Sequence, residues 1–173
     1  LLAKLAAGEI ELSVPRVELL PAGRLEKTIT EAVSKEWAAV VSQGFIGSRL
    51  AGETLLVFDD TDMAALAEVM HYEGQLEPAA EMELLTEIAN VLVGAFLKGL
   101  FDQLGIGFSQ GHPRIHLPDS YGPRATPRAH GHSGLCIRLS YHIGARRVHC
   151  EQLVLFPERS ISSLEQRAEY AIA

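Results

Sequence analysis

Glu83, Glu87, Asn90 and Gly94 follow one another at steps of four, three and four residues. On a helix that spacing sets them in one stripe. A carboxylate and an amide one turn apart can do chemistry together. Neither is a strong nucleophile, and an amide does not titrate. An Asn side chain can instead hold a water through one donor and one acceptor bond. Such a pair suits hydrolysis of a bond that is already labile, where placing the water supplies much of the rate. Phosphoryl transfer fits, because its loose transition state asks mainly for in-line alignment and charge neutralisation. Gly94 costs roughly 1 kcal/mol of helix stability relative to alanine. In return it leaves the surface beside Asn90 flat for the approach of another protein. The plain alternative is a solvated helix face with an incidental glycine.

The element that must carry this stripe is a helix over 79–104, the longest helical pattern in the chain. Pro78 sits near its start, where a missing N–H costs least, and Gly105 follows its end. Leu84, Leu85, Ile88, Val91, Leu92, Ala95 and Phe96 recur at three- and four-residue spacing and form the apolar stripe.

Pro113 follows Asn90 after twenty-two intervening residues. Glu87, Asn90 and this Pro113 resemble the signature of the CheC/CheX/FliY-type phosphatases of bacterial chemotaxis. That signature runs Asp or Ser, three residues, Glu, two residues, Asn, twenty-two residues, Pro. Its first position falls on Glu83, which is neither Asp nor Ser. A second stretch, Ser13-Val14-Pro15 followed by Val17 and Pro21, also looks like the family. The resemblance covers nearly the whole chain. It implies that the chain hydrolyses the aspartyl phosphate of a phosphorylated CheY-like response regulator. Asn90 would align the attacking water, and Glu87 would pair with the regulator's active-site lysine. Glu83, Gly94 and Pro113 would belong to the docking surface. Mg²⁺ would sit on the regulator, with no cofactor held by this chain. The same family includes relatives of flagellar motor-switch components. A non-catalytic module that binds a regulator or a CheD-type deamidase is therefore the competing function, and a homodimer scaffold a third.

Composition sets wider bounds. The chain has 173 residues, 47% of them hydrophobic and 21% charged, ordinary values for a globular protein. Its formal net charge of −7 argues against nucleic acid as partner, since phosphate binding needs clustered Lys and Arg. No apolar run reaches the roughly 18 residues that span a membrane, and no signal peptide pattern is visible. Pairing Ile143 with Val148 in a hairpin would set Cys136 opposite Leu155, far from Cys150. Two reduced, buried thiols and a cytoplasmic protein are the expectation.

Strand patterns cover 9–20, 36–46, 53–59, 106–117, 135–143 and 148–156. A turn containing Gly47 and Gly52 joins the second and third of these. Residues 1–7 read as the last turns of a helix, 24–33 as a helical or irregular connector, and 62–72 and 160–171 as helices. Asp59, Asp60 and Asp62 suit capping better than a cation site, since no calcium-loop pattern follows. His130 and His132 fall in a Pro- and Gly-rich stretch over 118–132. With His112 and His116 they permit a metal site, but a solvated loop is the default. Trp37, Phe45 and Phe58 read as core.

The chain also repeats itself. Pro15-Arg16-Val17 matches Pro113-Arg114-Ile115, Leu55 to Phe58 matches Leu153 to Phe156, and Leu66 matches Leu164, all at an offset of 98. Neither half could bury its apolar face alone, so the two should share one sheet. The expected fold is therefore α+β: a mainly antiparallel sheet built from two pseudo-symmetric halves, about 1–76 and 77–173, with long helices packed on it. The first-half counterpart of the 79–104 helix would lie largely upstream of Leu1, and with it any second Glu-x-x-Asn site.

Overall fold

Stretches rich in Val, Leu, Ile and Phe form the strands, and the helices lie over them. A computed structural model describes residues 10–33, 39–58, 63–116, 133–143 and 148–172. In chain order the elements are β1 (Ile10–Leu12), β2 (Arg16–Leu20), α1 (Ala22–Val33), β3 (Ala39–Gly47) and β4 (Leu50–Phe58). There follow α2 (Met63–Val69), α3 (Pro78–Gln103), β5 (Phe108–Gln110), β6 (Arg114–His116), β7 (Gly134–Ile143), β8 (Val148–Pro157) and α4 (Glu158–Ile172). The fold is α+β with a mostly antiparallel sheet, as the sequence implies. The readings of residues 1–7, Trp37, the Asp59–Asp62 cluster, and His130 with His132 lie outside the described residues.

The strands join one sheet in the order β1-β7-β8-β4-β3-β5, with β2 also on β7 and β6 also on β3. Every pair among them is antiparallel. Ile143 faces Val148 and Cys136 faces Leu155, the register the sequence predicts. At the middle seam Leu55 lies opposite Leu153, two residues related by the sequence repeat. A local two-fold axis therefore passes between them. The short strands cross over: β1 and β2 pair with β7 of the other half, while β5 and β6 pair with β3.

β7 departs from the repeat by two residues. Gly111 N–H donates to Gly44 O at 2.8 Å, and Ser13 N–H donates to Ser140 O at 2.9 Å. Ser13 is 98 residues before Gly111, yet Ser140 is only 96 after Gly44. The hairpins explain this. Ser48 and Arg49 alone join β3 to β4, with Arg49 at φ 62°, whereas residues 144–147 separate β7 from β8. Two extra loop residues displace β7 by two, and an even shift keeps every side chain on its own face. Gln43 of β3 thus corresponds to Leu139 of β7.

Several boundaries move. Gly47 and Gly52 lie in the strands and not in the turn. A Cβ on Gly47 would collide with the Phe101 ring, and one on Gly52 with Leu155 O, so close packing explains both glycines. The single strand expected over 106–117 is two short ones, broken at Gly111–Pro113, because proline offers no N–H to the ladder. Residues 22–33 form a regular helix where a connector was one option.

Two layers of core result. On one face Val41, Phe45, Leu56, Phe58, Leu139, Tyr141, Val154 and Phe156 meet α2 and α3. On the other, Leu25 and Ile29 of α1 cover Val40, Leu55, Val57, Cys136 and Leu153. The face of α3 that is buried runs Leu84, Leu85, Ile88, Ala89, Leu92, Val93, Leu97 and Phe101. Val91, Ala95 and Phe96, assigned to that stripe from sequence, lie at its half-buried margin. α3 is long and apolar enough, by length and composition, to cross a membrane, where the sequence alone suggests no apolar run of that length. In this fold its apolar side lies against the sheet. Its end is set by Gly105 at φ 64°. Ile106 N–H donates to Phe101 O and Gly105 N–H to Asp102 O, the paired bonds of a Schellman stop.

Candidate functional site

The buried residues of α3 fix its rotation about its own axis. Ile88, Ala89, Leu92 and Val93 face the sheet, so Glu83 and Glu87 face away, while Asn90 lies at the flank of the helix, within reach of both β3 and solvent. Glu83, Glu87 and Asn90 are exposed, and Gly94 is half-buried. The helix thus presents a carboxylate and a carboxamide one turn apart to solvent.

Asn90 is not left to swing freely. Gln43, on β3 and only 2% exposed, donates from Nε2 to Asn90 Oδ1 at 3.2 Å. The same nitrogen donates to Gly111 O at 2.7 Å. Gln43's own backbone oxygen accepts from Thr54 Oγ1 at 3.2 Å. Gly94 faces Gln110, whose amide lies about where a van der Waals neighbour of an added Cβ would be, at 3.5 and 3.6 Å. The structure therefore ties Asn90 and Gly94 to the segment 110–111. Pro113, half-buried, lies two residues further on. The chain between Asn90 and Pro113 completes α3, makes the Schellman stop and returns along β5 to the same end of the site.

Sequence reasoning missed Gln43 and the Gly111 carbonyl. One signal was available for the first. Gln43 shares strand parity with Val41 and Phe45, so a polar side chain falls on the apolar face. Nothing local could have shown that its partner stands 47 positions away.

Ser42, the neighbour of Gln43, points to the opposite face. There Ser42 Oγ lies 3.0 Å from His116 Nε2. Burial raises the Glu53 carboxyl above its usual range, against the lowering effects of its hydrogen bond with Ser42 and of the Arg114 charge. Burial, and then the Arg114 charge, lower His116. This cluster is separated from the Asn90 stripe by the sheet. Of the four histidines that permit a metal site, His116 is turned to Ser42, and His130 and His132 lie outside the described residues. No three His, Cys, Asp or Glu side chains come together as a metal set among the described residues. The thiols are also apart: Cys136 is pushed up to about 11, chiefly by burial, and both cysteines are free.

The second family-like stretch, Ser13 to Arg16, lines a cleft with Arg138, Leu139 and Ser140. Under the local two-fold this is the counterpart of Gly111–Arg114 beside Ser42–Gly44. The two places differ in one respect: Leu139 stands where Gln43 stands.

No family model matches the chain, and no curated protein does. Solved structures do. FliY from Thermotoga maritima superposes with a TM-score of 0.67 at 16% identity, covering 98% of this chain and 88% of that one. The H. pylori structure of a FliM–SpeE complex gives 0.63 at 13%, over 98% and 85%. CheX from Desulfovibrio desulfuricans gives 0.54 at 12%, over 87% of each chain. Identities this low speak for fold alone, and the fold is of the CheC/CheX/FliY type.

Proposed function

We propose that this chain is a protein phosphatase that hydrolyses the aspartyl phosphate of a CheY-like response regulator in chemotaxis or two-component signalling. The observation that carries the proposal is the exposed pair Glu87 and Asn90 on α3, with Asn90 braced from the sheet. A fold shared with FliY and CheX supports it. Asn90 aligns a water against the phosphorus. As the water oxygen bonds to phosphorus, the bond from phosphorus to the aspartyl oxygen breaks. The electron pair leaves with the carboxylate, and inorganic phosphate departs. Glu87 pairs with the lysine of the regulator and fixes the docking. Glu83, Gly94 and Pro113 frame the surface on which the regulator sits. The phosphate, and the Mg²⁺ that neutralises its charge, belong to the regulator. A convex helix face with two working side chains therefore suffices, and the encounter would take place in the cytoplasm. The test is the decay time of a phosphorylated receiver domain with and without the protein. Accelerated decay supports the proposal.

The likeness to FliM at a TM-score of 0.63 favours a second reading. In it the chain binds a regulator, or a CheD-type deamidase, without turning over any phosphate. Measurable affinity for the phosphorylated receiver with an unchanged decay time would select this reading.

A further inference from the structure

We infer that Gln43 is a positioning residue for Asn90: it holds the Asn90 carboxamide by its oxygen and turns the NH₂ group toward a docked partner. The consequence for rate rests on the phosphatase reading above, while the orientation of the amide does not.

The bonds leave one consistent assignment. Gly111 O can only accept, so Gln43 must face it with Nε2 at 2.7 Å. The same nitrogen then meets Asn90 at 3.2 Å, and the atom it meets must be the acceptor Oδ1. Nδ2 of Asn90 is left on the side away from the sheet. Each member is fixed in turn. Gly111 is held by its N–H on Gly44 O, and Gln43 by burial at 2% exposure. An amide torsion is otherwise broad and nearly two-fold, so a free Asn90 would offer NH₂ and oxygen to a partner by turns. One lone pair of Oδ1 remains open, enough to hold a water together with an Nδ2 hydrogen.

Folding alone does not call for a glutamine here. Gln43 Oε1 is buried and finds no hydrogen-bond partner among the described residues. The two-fold counterpart is Leu139, 1% exposed, so the same place in the sheet accepts leucine. The half that has Asn90 has the glutamine.

The variant Gln43→Leu tests this, with Asn90→Ala as reference. Three results are expected of Gln43→Leu: a cooperative thermal transition, affinity for a phosphorylated receiver within about twofold of the unmodified protein, and a single-turnover rate at saturation lowered roughly ten- to a hundredfold, the scale of a misplaced reacting group. The Asn90 side-chain amide resonances, identified by their loss in Asn90→Ala, should shift. Unshifted resonances overturn the inference whatever the rates. A rate that Asn90→Ala abolishes but Gln43→Leu leaves intact overturns it as well. If Asn90→Ala also leaves the rate intact, the phosphatase reading fails, and the resonances alone decide the orientation. Should Gln43→Leu not fold, the unmodified protein decides: nuclear Overhauser contacts from the Gln43 NH₂ protons to the Asn90 Hβ protons are expected, and their absence overturns the inference.

Discussion

Gly94→Ala should raise the melting temperature, and the structure says by how much. A helix-interior glycine is less stable than alanine by about 1 kcal/mol. A Cβ at position 94 would lie 3.5 Å from Gln110 Nε2 and 3.6 Å from its Oε1. Those are ordinary contact distances, so nothing has to move and most of the gain should survive. For a chain of this size about 1 kcal/mol corresponds to roughly 2–4 °C. Gly99 is the control, since nothing lies within 4 Å of its Cβ position. Gly99→Ala should give the same gain on a part of α3 away from the stripe. Gly94→Leu is the informative partner. Its longer side chain must push Gln110 aside and stand beside Asn90, so stability should return toward the starting value while docking weakens. A tenfold loss of receiver affinity, about 1.4 kcal/mol, is the least expected. Thermal unfolding followed by circular dichroism gives the first quantity, and titration with a phosphorylated receiver gives the second. A lower melting temperature for Gly94→Ala would mean that α3 and β5 approach too closely for any side chain. Unchanged affinity in Gly94→Leu would mean that this stripe is not the docking face.

Glu87→Ala should lower both affinity and rate, since its proposed lysine partner is already engaged before the transition state; a contact of this kind is worth about 1.5–3 kcal/mol where water is excluded, and equilibrium titration beside single-turnover kinetics will separate the two effects. Glu53→Gln should stabilise the fold at neutral pH. Burial raises this carboxyl above 4.5 in the folded chain, so its favourable contribution is full below the unfolded value and is lost as pH rises through the folded one. The melting-temperature difference between Glu53→Gln and the unmodified protein should therefore shrink as pH falls toward 4.5, and a difference that is constant with pH would contradict the assignment.

Much of this fold was legible in the residues. The apolar spacing and the flanking Pro78 and Gly105 gave α3 to within a residue at each end. The repeat located the seam, because residues 55 and 153 face each other across it. The displacement of β7 was harder to see. It depends on the relative lengths of two hairpin loops, and the matching blocks in β4 and β8 lie beyond the shift. For the site, the stripe Glu83, Glu87, Asn90, Gly94 could be read from helical period alone, and in the structure its first three members are exposed while Gly94 is half-buried beside Gln110. The brace behind it could not. Gln43 lies on β3, Asn90 on α3 and Gly111 in the break between β5 and β6, and only the return of the chain along β5 brings them together. Buried polar residues are costly unless satisfied, so a glutamine between Val41 and Phe45 was the one available sign.

The central claim is that Asn90 works in the transition state and not in the grip on the partner. Asn90→Ala removes the amide without adding charge or bulk; Gln43 Nε2 loses one acceptor and keeps Gly111 O. Deleting an interaction made mainly in the transition state costs rate more than affinity. The direct measurement is loss of labelled phosphate from a receiver domain under single-turnover conditions, with affinity determined separately. The account predicts that Asn90→Ala binds nearly as well as the unmodified protein and has lost most of its acceleration of dephosphorylation. If Asn90→Ala instead dephosphorylates the receiver as fast as the unmodified protein, the exposed pair on α3 is not catalytic.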